Sequence, residues 1–563
     1  MEHSALHAAQ LIGTLIALAA ALLALAVLRP ALRRVERMDA ATQGDARGLA
    51  QDLAASLATW AWRGSLLAAA ASLANLVVQI GEIENTTILA GADPALLRRF
   101  AIATTVGRIT LARAGLLFVS AALAWRMRTL RRLVDAQAEW LALLATTTAA
   151  VVAMTLVSHA AALPSGRAPA IAVQMAHLVA AGAWIGSLAH LLAARALVRS
   201  ARTRSEIALV ADVVRRFSPI ALAAAAVLVG SGAFAAWSNL GTPVAIVTSA
   251  YGLTLLVKLT LLATLLVPAW VNYRVVRPAL ARAAESEAAA AAAPAVLARF
   301  GSMLELEVTA GLLVIAVAGI LGSVSPPLAD GTGRLAPPEA RALATPRLPQ
   351  TDVVDPSTWV GSETRTDDDL RYSEFMHNWS GLIVVLLGVA WLVQAAGGPR
   401  GARVGRLWPL ALLPFAAFVA IASDPEVWPM GTVDPIRALA DPIVLEHRIG
   451  ALMIVALAWL GLREERRGGD DRPLGRALPI LMIVGSFLLL GHAHSSFGAT
   501  ESLTTMINVQ HAIMGGLGLL AGVVRWLELR GLFPRPAARV LWPSLVIAVG
   551  LSMAFFYREL VVA

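Results

Sequence analysis

Residues Ser158–Leu188 read SHAAALPSGRAPAIAVQMAHLVAAGAWIGSL. One apolar run ends at Ser158 and His159, Pro164-Ser165-Gly166 interrupts it, and a second run opens after Arg167. Proline and glycine close helices, and the second run has too few charges to keep a solvated face. A segment this apolar that satisfies its own backbone is suited to lipid. The stretch therefore predicts two membrane-crossing helices joined by a short turn, with His159 and His177 on either side of it.

The same pattern extends in both directions. The chain has 563 residues, is 58% hydrophobic and has a mean hydropathy of +0.70. Its apolar runs are about 18 to 25 residues long, enough to cross a ~30 Å hydrocarbon core. About fourteen such runs occur, within the usual error of boundary placement. Eight are centred near Ala20, Leu73, Leu116, Ala150, Ala181, Val229, Leu261 and Val314. Six more are centred near Leu387, Phe415, Val455, Gly485, Leu517 and Ala548. The fold expected is an all-α, polytopic transmembrane helical bundle. Ten-residue alternating strands, the mark of a membrane barrel, are absent. The first run, Leu11 to Leu28, lacks a charged n-region and reads as a retained span.

The net charge is +9, but the arginines sit in short turns between runs rather than on one basic face. Arg126, Arg128, Arg131 and Arg132 share one such turn, and Arg195, Arg199, Arg202 and Arg204 another. Most Lys and Arg fall in alternate turns, so the positive-inside rule puts both termini on the periplasmic side. This is a topology signal, not a nucleic-acid surface. There is no cysteine, which excludes disulfides, thiolate metal sites and iron–sulfur clusters. No phosphate-binding loop, nucleophile elbow or zincin helix occurs, so neither an enzyme nor an ATP-driven pump is expected.

Three segments follow from these runs. Residues 1–322 form an eight-span membrane domain. Residues 323–375, rich in Pro, Asp and Thr, read as a solvated periplasmic linker. Residues 376–563 form a six-span domain.

Histidine carries the functional signal. On this topology nine of the ten histidines lie at or near the outer face, and only His190 lies on the inner side. His159 and His177 flank the opening turn, while His377, His447, His492, His494 and His511 come from four spans of the last domain. A single histidine near a helix end is usually an interfacial polar residue. Nine on one side point instead to metal, for which imidazole is the commonest ligand. Met154 and Met175 precede His159 and His177, and thioether is a soft ligand suited to copper(I), although methionine also fills gaps in apolar cores. Lys258 is the only lysine and lies well inside the seventh run. A charge at that depth is costly and marks a transport-path candidate, with Glu305 and Glu307 as possible partners. Asp424, Glu426, Asp434, Asp441 and Glu446 surround His447, where turn-making is the stronger reading.

Several stretches resemble the copper-resistance D (CopD) family. They are TTVGRITLARAGLLF, MAHLVAAGAWIGSL, RRFSPIALAAAAVLVGSGAFAAWSNLG, SAYGLTLLVKLTLLATLLVPAWVNY and LELEVTAGLLVIAVAGILGSVSPP. His177, Trp184, Gly186, Phe217, Pro219, Gly232 and Lys258 occur in the family's order, and the likeness covers roughly residues 60–327. FMHNWSGL, LEHRIGAL, GHAHS and VQHAIMGG look like a C-terminal multi-span extension carried by some CopD-like proteins. The resemblance implies a multi-pass protein of the bacterial inner membrane that carries copper inward and serves copper homeostasis and resistance. It implies His159 and His177 as metal positions, Trp184 and Lys258 on the path, and a separate periplasmic carrier of the CopC type as partner. Two alternatives stand beside copper transport. One is a membrane oxidoreductase holding haem b between histidines of the last domain. The other is a non-transporting copper-binding accessory protein.

Overall fold

The computed structural model describes residues 2–38, 43–83, 91–158, 161, 166–285, 287–322, 324–327, 333–352, 354–356, 366–467, 477–491, 500–531 and 533–560. All long elements among them are helices, and the only strand-like pairing is a single bridge between Val427 and Val433. Among the described residues thirteen helices are long and apolar enough to cross a membrane, and Ala477–Leu490 is a shorter apolar helix at the site of the remaining run. The protein is a multi-pass all-α membrane protein.

The chain folds into two compact units, Glu2–Ser238 with Lys258–Ser323, and Asn239–Val257 with Val324–Ala563. The N-terminal unit holds α1 (Glu2–Leu22), α2 (Gln43–Ile83), α3 (Thr105–Met127), α4 (Gln137–Thr155), α5 (Arg167–Ala181), α6 (Arg204–Leu240) and α8 (Ala293–Leu321), together with α7 (Ala250–Val271) from Lys258 onward. Helix α1 is its axis and packs on α2, α4, α8 and the π-helical turn Gly182–Gly186 that continues α5. Small residues make this possible. Ala17, Ala19, Ala20 and Ala21 are all 0% exposed, and a Cβ on Gly186 would stand 2.5 Å from the Leu15 carbonyl oxygen. Lipid bilayers give no hydrophobic drive between helices, so close backbone contact is what holds them. Beyond the turn, His190 Nε2–H donates to the Ile16 carbonyl at 2.8 Å and pins α1 again. Helix α6 is different: Leu222, Val229 and Trp237 are 65%, 56% and 76% exposed, as suits an apolar face covered by lipid.

The C-terminal unit is built from α9 (Asp367–Ala396), α10 (Gly398–Ala422), α11 (Pro442–Arg467), α12 (Ala477–Gly491), α13 (Glu501–Leu529) and α14 (Arg535–Leu551). Each packs on the next, and α14 packs back on α9, so the six helices close into a ring. Gly381 and Gly550 bring α9 and α14 into backbone contact, and a Cβ on Gly381 would lie 2.5 Å from the Ala554 nitrogen. Gly518 and Gly522 face Ser486 and Ile483 of α12.

The segment expected to be a solvated linker is partly structured. Helix α9 begins at Asp367, so the acidic run Asp367-Asp368-Asp369 is its first turn, N-capped by Thr366. Carboxylates there face the positive end of the helix dipole. Upstream, Leu335 N–H donates to the Thr248 carbonyl at 2.8 Å, and Arg347 pairs with buried Glu374. Composition hid these contacts because each depends on one residue rather than on an apolar run.

Candidate functional site

In the N-terminal unit, α5 carries His177 toward α6. The Ser231 hydroxyl donates to the Val227 carbonyl one turn back, and its oxygen lies 2.8 Å from His177 Nδ1. With the hydroxyl proton already committed, Nδ1–H is the donor in that contact. The neutral ring therefore keeps its lone pair on Nε2, the form that binds metal. Gly232 leaves the His177 Cε1 edge clear, since a Cβ there would stand 3.8 Å away. The Lys258 ammonium of α7 acts electrostatically on His177. Its expected partners are engaged elsewhere: Glu305 pairs with Arg195, and Glu307 accepts from Asn272 Nδ2 at 2.6 Å. Trp184 is buried in the π-helical turn, Met154 is buried in the core, and Met175 packs against that core. His159 lies outside the described residues.

The C-terminal unit encloses a cavity of ≈ 670 Å³, with walls contributed by all six helices of the ring. His377, His447 and His511 line it. Helices α9 and α13 begin at Asp367 and Glu501, so His377 and His511 sit about 15 Å along each helix at 1.5 Å per residue. Their rings meet edge to face with centroids 5.7 Å apart. Tyr557, just beyond α14, stacks on His377 at 3.8 Å with an interplanar angle of 10°. His492 and His494 lie outside the described residues.

Each of the three histidines directs Nδ1 at a group that can only accept. His377 Nδ1–H donates to the Ser373 carbonyl at 2.9 Å, and His511 Nδ1–H to the Ile507 carbonyl at 2.9 Å. His447 Nδ1–H donates to Asp424 Oδ1 at 2.7 Å, and Arg448 binds the other oxygen at 2.8 Å. In the neutral form, a ring whose Nδ1 carries the proton has Nε2 as its acceptor nitrogen. Among the described residues no group of three or more His, Asp or Glu gathers around one point as a metal ion requires.

The acidic turn before α11 is largely structural. Asp434 caps the short helix Pro435–Ala438, and Asp441 accepts from the Ile443 amide at 2.8 Å. Asp424 is 3% exposed and orients His447. Burial first, and then the neighbouring Asp424 and Asp441 charges, raise Glu426 above the usual carboxylate range.

Sequence reasoning missed Ser231, Tyr557 and the cavity methionines Met453, Met482 and Met553. Of the glycines that follow the three histidines, only Gly450 in HRIG lines the cavity, while Gly381 and Gly515 pack against neighbouring helices.

No curated protein and no solved structure matches the chain. The family model described as Copper resistance protein D matches residues 211–321, which begin in α6 and run to the last residue of α8. That match takes in Ser231 and Lys258, two of the residues that act on His177, and it is consistent with a CopD-family membrane protein.

Proposed function

We propose that the protein transports copper ions across the bacterial inner membrane, in the service of copper homeostasis and resistance. Copper is captured at a periplasmic-face site that includes His177, with His159 as its companion across the turn. The observation that carries this reading is the hydrogen bond from His177 to Ser231, because Ser231 belongs to the CopD-matched segment. It sets the imidazole tautomer that a copper ion needs and orients the ring. Met154 and Met175 sit near enough in sequence to add soft thioether contacts, which favour copper(I). Trp184 and Lys258 lie on the onward path. The ammonium of Lys258 opposes any cation held at His177, which makes it a natural control point for release. A periplasmic carrier of the CopC type delivers the ion, and no chemical step is required of the chain.

Copper uptake into proteoliposomes tests this. His177→Ala is expected to lower uptake by about 10-fold or more, the scale on which metal sites respond to loss of ligand support. Uptake equal to wild type in His177→Ala would remove the site.

A further inference from the structure

The cavity of the C-terminal unit lies outside the CopD match and is not needed for the copper reading. We infer that it binds an amphiphilic organic cation, with an ammonium or comparable head at the acidic end of the cavity and an apolar body among the methionines and leucines farther in.

Size argues first. A volume of ≈ 670 Å³ falls in the range of small-molecule sites, about 300–1,000 Å³, and is far above the ~30 Å³ share of one water. A bare metal ion needs its ligands drawn to one point, and no group of three or more His, Asp or Glu does this among the described residues. The occupant that fits the space is therefore molecular.

The sign of the charge argues second. Asp369, Asp424, Glu426, Asp441 and Glu446 line the cavity, and no Arg or Lys is among the lining residues. Asp369 is the third residue of α9, Asp424 and Glu426 follow α10, Asp441 precedes α11, and Glu446 is the fifth residue of α11. Two contacts hold these segments together at one end of the ring. The Tyr372 hydroxyl of α9 donates to the Ala422 carbonyl of α10 at 2.7 Å, and Asp424 accepts from His447 of α11 at 2.7 Å. Arg448 offsets Asp424, and the Ile443 amide donates to one oxygen of Asp441. Crowding remains: after burial, the charges of Asp424 and Asp441 add to the push that raises Glu426 above the usual carboxylate range. A cation relieves that repulsion, an anion adds to it, and a neutral molecule leaves it in place.

The division of the wall argues third. Met453, Leu457, Leu481, Met482 and Met514 lie about 14–22 Å from the acidic end along their helices, at 1.5 Å per residue. Carboxylates thus stand at one end and apolar side chains at the other, three of them adaptable methionines. A small polar cation would leave the apolar end unfilled, and an uncharged apolar molecule would leave the carboxylates uncompensated. A molecule with a charged head and an apolar body matches both ends. Tyr372 adds an aromatic ring at the acidic end, a surface that cations favour. Gly450, one helical turn past Glu446, lines the cavity between the two ends, and a Cβ there would meet nothing within 4 Å. The way from head to body is open at that point.

The test is equilibrium dialysis of the full chain, held in a non-ionic detergent, against three radiolabelled probes that share one chain: decyltrimethylammonium, decanol and decanesulfonate. Binding to detergent alone is subtracted. The expected result is saturable binding of one decyltrimethylammonium per chain, weakened by added salt, with decanol and decanesulfonate bound at least about 10-fold more weakly. Glu426→Gln/Asp441→Asn removes two charges while Asn keeps the oxygen that accepts from Ile443, and it should weaken the cation by about 10-fold or more. Gly450→Leu should weaken it as well, with thermal unfolding showing that the chain is folded, and His177→Ala should leave it unchanged. No saturable binding of decyltrimethylammonium to folded wild-type protein would overturn the proposal. Decanol or decanesulfonate bound as tightly as the cation would overturn it too, and would make the occupant a neutral or anionic lipid. Binding indifferent to both the double variant and Gly450→Leu would place the cation elsewhere and overturn it as well. The copper reading stands or falls separately, on uptake by His177→Ala.

Discussion

The two units are both helical and both use glycine at helix contacts, yet they spend their interiors differently. In the N-terminal unit, α1 fills the centre, and its alanines and Gly186 leave no space between backbones. One histidine, His177, is presented beside α6, a helix whose apolar face is largely exposed. In the C-terminal unit six helices close into a ring around a cavity lined by His377, His447 and His511, of which the first and last touch. An open centre of this volume suits a bound small molecule.

The sharpest way to break this contrast is to fill the same kind of position in each unit. Gly186→Leu forces a side chain into the Leu15 backbone and is expected to cost about 3 kcal/mol or more, from overpacking. Gly450→Leu enters open space, and the gain in helix propensity predicts stabilisation of about 0.5–1 kcal/mol. Thermal unfolding in detergent checks both. Equal losses would mean that the cavity is not open.

Next in size is Asp424→Ala. It leaves Arg448 and His447 without their shared carboxylate, and both are partly exposed, so the cost is about 2–3 kcal/mol, below that of breaking a fully buried pair. Copper uptake should stay near wild type, because His447 lies outside the site proposed at His177. Ser231→Ala is the counterpart in the other unit. It should weaken copper uptake by about 10-fold while leaving the melting of the C-terminal unit unchanged.

The smallest effect concerns pH. Glu426 is raised by burial, so folding favours its protonated form. Its contribution is complete below the ordinary carboxylate range and is lost as pH rises through the raised value. Glu426→Gln should therefore melt like wild type in acid and slightly above it near neutral pH. A difference that grows toward acid would reverse the assignment.

Much of this fold was legible in the sequence because bilayer spans are written in long apolar runs. Every run found there corresponds to a helix, including Ala477–Gly491, which is shorter than the rest. The glycines of GAWIG, four residues apart, are the small-residue spacing that admits a close helix contact, and α1 makes it. The site was only half legible. His377, His447 and His511 stood out by residue type, but their convergence depends on ring closure, which no local pattern encodes. Methionine in an apolar helix cannot be told from filler, so Met453, Met482 and Met553 gave no signal. Lys258 suggested Glu305 or Glu307 as partners by opposite charge, and the structure gives those carboxylates to Arg195 and Asn272.

The central claim is that copper is captured at His177. The most direct measurement is copper uptake by proteoliposomes holding wild-type protein, His177→Ala or His447→Ala at matched protein content. The account predicts uptake lost in His177→Ala and retained in His447→Ala. Uptake retained in His177→Ala and lost in His447→Ala would contradict it, and would move copper handling to the C-terminal ring.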